Sequence, residues 1–413
     1  MRKLRWLEQS VQKMTIAEGT VCRRLVRDFV IGVYLAGTTI LSGVARALRA
    51  DKRGFEAVLE RLSRGLARQS EGVAGVCARY RRCATQAARR GGFDVVAIDL
   101  SEIVKPYGRK MPFLCKVRDA SKSDRHKTVI EKGWWTVEIA ATSGKHQVLP
   151  LMRHAYSTVH PTFKSVQKEL RQCLATLKPL LWPGARAVLD RGFDGNTDFK
   201  VLDDTFEQWA VRQRGDRQIY LPGQDETIRM VTLAKAVAQD FVARPWVVRR
   251  DKLQRVDVRF GYLTVEVPTK ACRRERKKPP CRRTTLIVVD RQTQDPSDGP
   301  MMLLCSRPVR NAAQARLWVE SYFRRWGVED EIRGAKQLSG LENLRVLNWD
   351  SICNIVALSA VTIGLLALLQ VEAPRRAARL ARAAPIDGPV PAYALYRIWL
   401  SVTLLLQGHS ITG

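Results

Sequence analysis

The stretch FDVVAIDLSEIV, residues 93–104, constrains the fold more than any other. From Val95 to Leu100 it is apolar and β-branched except for one acid, Asp99. Strands that read as nearly continuous apolar runs have both faces covered, usually by helices packed on either side of one sheet. Further strand candidates follow at KGWWTVEIAATS (132–143) and HQVLPLMRHAYS (146–157). A helix is expected over FKSVQKELRQCLATLKPLL (163–181), and another apolar strand in ARAVLDRGF (185–193), which runs into Asp190. Strands, then a helix, then a strand imply a mixed α/β core around one buried sheet.

The flanking texture differs. Residues 1–90 carry apolar positions three and four apart, as in LVRDFVIGVYLAG and FEAVLERLSRGLARQ, with basic residues on the other faces. ARRGG at 88–92 closes this helical part. Residues 201–305 read as short, strongly basic strands (WAVRQR, WVVRRD, VDVRFGYLTVEV, TTLIVVDRQ). Among them, KACRRERKKPPCRR at 270–283 is expected as a cationic loop whose prolines forbid a regular ladder. Helical texture returns near Ala312 and runs to about 371. The expected organisation is a helical N-terminal domain (1–90), a first part of the core (91–200), a β-rich insertion (201–305), a second part of the core (306–371) and a helical tail (372–413) that is a candidate for dimerisation.

The 413 residues carry 70 Lys and Arg against 40 Asp and Glu, a formal charge of +30. Such an excess suits a partner of dense negative charge, either nucleic acid or an anionic membrane surface. Nine cysteines without a Cys-x-x-Cys pair argue against a disulfide framework or a structural zinc site, and point to a reducing cytosol. Two apolar runs, 29–45 and 351–370, are read as buried helices rather than membrane spans.

The second informative stretch is ESYFRRWGVEDEIRGAKQ, residues 320–337. At about 100° per residue, Tyr322, Arg325, Glu329 and Lys336 fall within an arc of roughly 60° on one helix. Glu320, Asp330 and Glu331 point away from it. Val328, Ile332 and Ala335 form an apolar stripe beside it that seats the helix on a core.

Asp99, Asp190 and Glu329 thus come from a strand, a strand end and a helix. Taken singly, each has an ordinary alternative. Asp99 pairs with a buried Arg or Lys, Asp190 pairs with Arg191 or caps a turn, and Glu329 joins ion pairs with Arg325 or Arg333. Taken together, three carboxylates in one place repel one another and call for cations. All-oxygen ligands select Mg²⁺ or Mn²⁺, and two such ions suit phosphoryl transfer.

The spacing Tyr322-x2-Arg325-x3-Glu329-x6-Lys336 resembles the signature around the last acid of DDE transposases of the insertion-sequence type. AIDLSEI around Asp99 and LDRGFDGN around Asp190 resemble that family's first two acidic blocks, and the likeness spans roughly residues 90–370. It implies an α/β fold: an RNase H-like mixed-sheet core interrupted by a mainly β insertion, with a helical N-terminal domain and a short helical tail. It also implies metal ligation by Asp99, Asp190 and Glu329 with two Mg²⁺ or Mn²⁺ ions, and a grip on the DNA end by Tyr322, Arg325 and Lys336. The expected activity is cleavage at element ends and 3′-hydroxyl strand transfer into target DNA, cut-and-paste through a hairpin. The partners would be double-stranded DNA and a second copy of the chain, with no membrane, in the bacterial cytoplasm at the nucleoid. A flipped base would stack on an aromatic ring, for which Trp134, Trp135, Trp209, Trp246 and Trp318 are the candidates. Competing readings are another RNase H-like metal nuclease, a catalytically silent DNA-binding relative and a basic membrane-associated protein.

Overall fold

The computed structural model describes residues 4–49, 52–124, 127–144, 147–249, 252–269, 278–290, 299–386 and 394–408. Five helices come first: α1 (Arg5–Thr15), α2 (Thr20–Ala36), α3 (Leu41–Leu48), α4 (Lys52–Arg68) and α5 (Ser70–Arg90). Their apolar positions share one buried side, as with Leu7, Val11 and Met14 in α1 or Phe29, Val30 and Val33 in α2. The apolar run 29–45 is not straight, because α2 and α3 meet at 90°.

The core strands follow: β1 (Val95–Val104), β2 (Cys115–Arg118), β3 (Ile130–Thr142) and β4 (Val148–Tyr156), then α6 (Val166–Leu177), β5 (Arg186–Leu189), α7 (Asn196–Asp203) and β6 (Gln208–Arg212). In space they run β4-β3-β1-β5-β6. The β3 strand is antiparallel to both β1 and β4, and β1, β5 and β6 are parallel. This is the order and polarity of an RNase H-like core. The register fixes the two strand acids: Ile98 lies opposite Leu189. One residue further on, Asp99 and Asp190 are neighbours on adjacent strands, which lie about 4.8 Å apart.

The basic stretch beyond β6 builds β7 (Gln218–Tyr220), β8 (Thr227–Arg229), α8 (Met230–Ala236), β9 (Phe241–Ala243), β10 (Trp246–Arg249), β11 (Lys252–Arg255), β12 (Val258–Pro268), β13 (Cys281–Val289) and β14 (Met301–Cys305). It extends the core sheet, because β14 pairs antiparallel with β6 and the order continues β13-β12-β7-β8. Among the described residues, only β10 and β11 form a separate ribbon. Of the expected loop 270–283, residues 270–277 lie outside the described residues. Cys281, Arg282 and Arg283 open β13 opposite Pro268, Val267 and Glu266, so the ladder begins directly after Pro280.

The chain then forms α9 (Ala312–Arg324), α10 (Trp326–Leu338), α11 (Trp349–Glu372), α12 (Pro374–Ala383) and α13 (Leu395–Leu406). Alternation along β1 divides the core. Val96 and Ile98 face the side packed by the N-terminal helices, α6 and α11. Val95 and Ala97 face the other side, with Trp318, Val319, Tyr322 and Val328 of α9 and α10. Asp99 continues that second phase.

Among the described residues, α11 is the one single helix long and apolar enough to cross a membrane. Here it is buried within the chain, with Ile352, Ile355, Val356 and Leu358 wholly enclosed. Gly364 in α11 lets Tyr80 of α5 pass: a Cβ there would lie 1.8 Å from the Tyr80 hydroxyl. That hydroxyl donates to the Pro150 carbonyl of β4 at 2.5 Å, tying α5 to the sheet. Gly364→Val should therefore lower stability by about 1–3 kcal/mol through overpacking. Equilibrium urea unfolding measures this, and an unchanged midpoint would contradict the packing described.

Candidate functional site

The helix expected from 312 onward is interrupted at Arg325. Two successive amide bonds there span three residues, Arg325 N to Tyr322 O and Val328 N to Arg325 O, so α9 and α10 meet at a tight turn. Gly327 allows it, since a Cβ would sit 2.7 Å from Val148 Cγ2 and 3.0 Å from Thr142 Cγ2. The turn brings α10 down onto the sheet and leaves Arg325 at the joint, with only 4% of its side chain exposed.

The three acids meet at this joint. Arg325 Nη1 donates to Asp99 Oδ2 at 2.7 Å, and Nη2 to Glu329 Oε1 at 2.6 Å. Tyr322 donates its hydroxyl to Asp190 Oδ1 at 3.1 Å, and Arg212 lies 3.6 Å from the same oxygen. The Arg325 guanidinium also lies 5.6 Å from the centre of the Tyr322 ring. Lys336 faces β1 as well, but further along: its ammonium pairs with Glu102 at 2.8 Å and Glu342 at 3.1 Å. The buried cation foreseen as the ordinary partner of Asp99 is thus Arg325, a member of the four-residue pattern itself.

Charge in this pocket is poorly solvated. Burial pushes Asp99 up to about 7 despite Arg325, and the charges of Asp190 and Glu329 push it further the same way. Burial also acts against ionised Asp190, but Arg325, the Arg191 amide, Arg212 and Tyr322 outweigh it and hold that carboxyl below its usual range. Burial raises Tyr322 to about 12, so it remains a hydroxyl donor. For Arg325, burial opposes the charge, but Tyr322 and the three carboxylates more than restore it.

An acid whose folded pKa is raised makes the folded state bind a proton that the unfolded chain releases. Its contribution to stability then grows as pH falls through the folded pKa and levels off below the unfolded value of about 3.9. In metal-free buffer, Asp99→Asn should therefore raise the melting temperature at pH 8 and lose this advantage toward pH 5. Equal melting shifts at both pH values would show that Asp99 does not titrate in this range.

A second ionic group had escaped the sequence. Asp99 lies opposite Glu138 on β3, and Glu138 opposite Arg153 on β4, so the three form one row on the face toward α10. Arg153 Nε reaches Glu138 at 2.8 Å, Nη2 reaches Glu331 of α10 at 2.5 Å and Nη1 reaches Ser359 of α11 at 2.7 Å. All three charged side chains are at most 3% exposed. Glu331 does leave the arc of the four motif residues, but it turns inward. Its only sequence signal was an acid beside the apolar stripe of α10. Because removing one member strands buried charge, Arg153→Met should cost about 3–5 kcal/mol. Guanidinium unfolding tests this, and a loss below about 1 kcal/mol would contradict it.

Three of the five shortlisted tryptophans are core residues. Trp134 is enclosed and donates to the Pro112 carbonyl at 3.0 Å. Trp209 is enclosed, stacked 4.8 Å from Phe199 and bonded to Asp203. Trp318 is 6% exposed on the buried side of α9. Trp135 and Trp246 are half-buried. The exposed indole beside the site is Trp326, next to Arg325, 46% exposed and edge-on to Phe323 at 5.8 Å. On a helical wheel it falls about 100° from Arg325, off the polar arc, which is why the spacing did not select it. The cavity of about 680 Å³ lined by Lys105, Tyr107, Lys122, Glu342 and Arg345 lies at the far end of β1, and Glu342, a partner of Lys336, forms part of its wall.

Among the described residues, no group of three or more His, Cys, Asp and Glu side chains is arranged to hold a metal ion. Arg325 here bonds both Asp99 and Glu329. The donor set itself is all carboxylate oxygen, the type that hard divalent ions select.

No family model matches the chain, and no curated protein matches it either. Among solved structures, it is similar to a cryo-EM structure of a piggyBac transposase synaptic complex with hairpin DNA, with a TM-score of 0.37 and 9% sequence identity. The match covers 76% of this chain and 53% of that one, so the chain spans about half the length of that neighbour.

Proposed function

We propose that the protein is a DDE transposase that cuts double-stranded DNA at element ends and joins the freed 3′-hydroxyl to target DNA, cut-and-paste through a hairpin. The observation that carries this reading is the meeting of Asp99, Asp190 and Glu329, from a strand, a strand end and a helix, around Arg325. Asp99, Asp190 and Glu329 would hold two Mg²⁺ or Mn²⁺ ions. When bound, these supply activation of the attacking oxygen and stabilisation of the leaving one.

The chain's own groups do the rest. Arg325 serves as a resident counter-charge that keeps two half-buried carboxylates, Asp99 and Asp190, and the more exposed Glu329 together before DNA arrives. Its planar fork, bonded here to Asp99 and Glu329, is also of the shape that would grip a phosphate in bidentate fashion. The Tyr322 hydroxyl, kept protonated by burial, donates toward the same region. Lys336 adds a second cation one segment further along β1. Trp326, exposed at the same joint, offers a face on which an unstacked base can lie. One subunit per element end makes the active assembly at least a dimer, working at the bacterial nucleoid.

Simple hydrolysis by a related metal nuclease needs none of the Tyr322, Arg325 and Lys336 companions. Strand joining with pre-cut ends separates the two readings. Glu329→Gln should leave binding of labelled element ends within about threefold of the parent, and reduce Mg²⁺-dependent cleavage by at least about 10³-fold. Cleavage at the parental rate by this variant would reject the site.

A further inference from the structure

The charge of α12 is unlike that of the other basic helices. PRRAARLARA, residues 374–383, holds four arginines and no acid. Ala377, Leu380 and Ala381 are buried. Arg375, Arg376, Arg379 and Arg382 are exposed. At about 100° per residue the arginines span an arc of roughly 120°, centred nearly opposite the buried residues. Elsewhere the arginines of such faces find acids: Arg61 pairs with Asp28, and Arg64 with Glu60. Among the described residues none of the four on α12 has a carboxylate partner, and Glu372, just before the helix, is taken by Arg90 at 3.1 Å.

The helix is also anchored on its buried side. Pro374 starts the helix, and Ser401 of α13 donates to the Leu380 carbonyl at 2.7 Å. It lies outside the candidate site. The Arg90–Glu372 pair sets the end of α11 beside the end of α5, where the chain enters β1. From there about 13 Å of strand separates Val95 from Asp99. Over the four arginines the helix rises about 10 Å. A duplex presents roughly three phosphates per strand over that length. Four guanidinium groups with no carboxylate partner among the described residues, on one helix, therefore match a DNA backbone in charge and in reach.

We infer that the arginine face of α12 is a second DNA-backbone contact, which holds duplex away from the bond being cut. The tail is then a DNA-holding element as well as a candidate dimer element. The inference rests on the reading of the protein as one that acts on DNA, but involves none of its proposed catalytic groups. Phosphate contact through Lys or Arg releases counterions, so the affinity for DNA falls with salt by a slope of about 0.9 per contact.

The test is fluorescence anisotropy with a generic duplex of about 30 base pairs across about 50–300 mM KCl. The quadruple variant R375Q/R376Q/R379Q/R382Q retains good helix formers on an exposed face. Its log-log salt slope should be shallower than the parent's by about 3–4. The corresponding quadruple lysine variant should keep the parental slope. A parental slope in the glutamine variant overturns the inference, whether or not that variant also loses binding to phosphatidylserine vesicles, which would assign the face to a membrane surface. If the parent itself binds no duplex, the DNA reading of the whole protein fails. If the parent binds and only the glutamine variant fails to differ, the fault lies with this face alone.

Discussion

A single buried guanidinium organises the centre of the molecule. Three carboxylates close together, two of them half-buried, would repel one another. Arg325 counters this by placing one N–H group on Asp99 and another on Glu329, within reach of the charge of Asp190. The arrangement is not fully satisfied, because its Nε is buried with no hydrogen-bond acceptor. Asp99 also remains reluctant to ionise. A group so held has a competitor in any harder or more highly charged cation that reaches the same oxygens.

Much of this was legible in the sequence because it obeys short periods. The apolar run from Val95 to Leu100 demanded a sheet covered on both sides and singled out Asp99 as its one acid. The apolar stripe of Val328 and Ala335 is buried as the helical period required. What could not be read depends on contacts distant in the chain. At the break beside Arg325, Gly327 lies close against Val148 and Thr142, a contact that no local propensity reports. The departure of Lys336 toward Glu102 and Glu342 likewise follows from the position of a turn beyond α10.

The row Asp99–Glu138–Arg153 shows the same limit in a different way. Each residue sits on a different strand, so only the register reveals that they are neighbours. Its effect is mechanical. Arg153 ties two strands to α10 through Glu331, two residues after Glu329, and to α11 through Ser359. The helix that carries the third acid is thereby held in rotation as well as in place. Buried ionic groups of this kind contribute little net stability compared with apolar packing, but they are costly to break and so favour one arrangement over its neighbours.

The pairing of β14 with β6 has a consequence for how the chain came to be assembled. A module hung from two linkers could be gained or lost without disturbing its host. Here Ala210 and Val211 find their ladder partners in Cys305 and Leu304, so the inserted segment closes what would otherwise be a bare, apolar margin of the core sheet. A shortened ancestor or engineered deletion would leave that margin open to self-association. Any such trimming would have to bring its own means of shielding it.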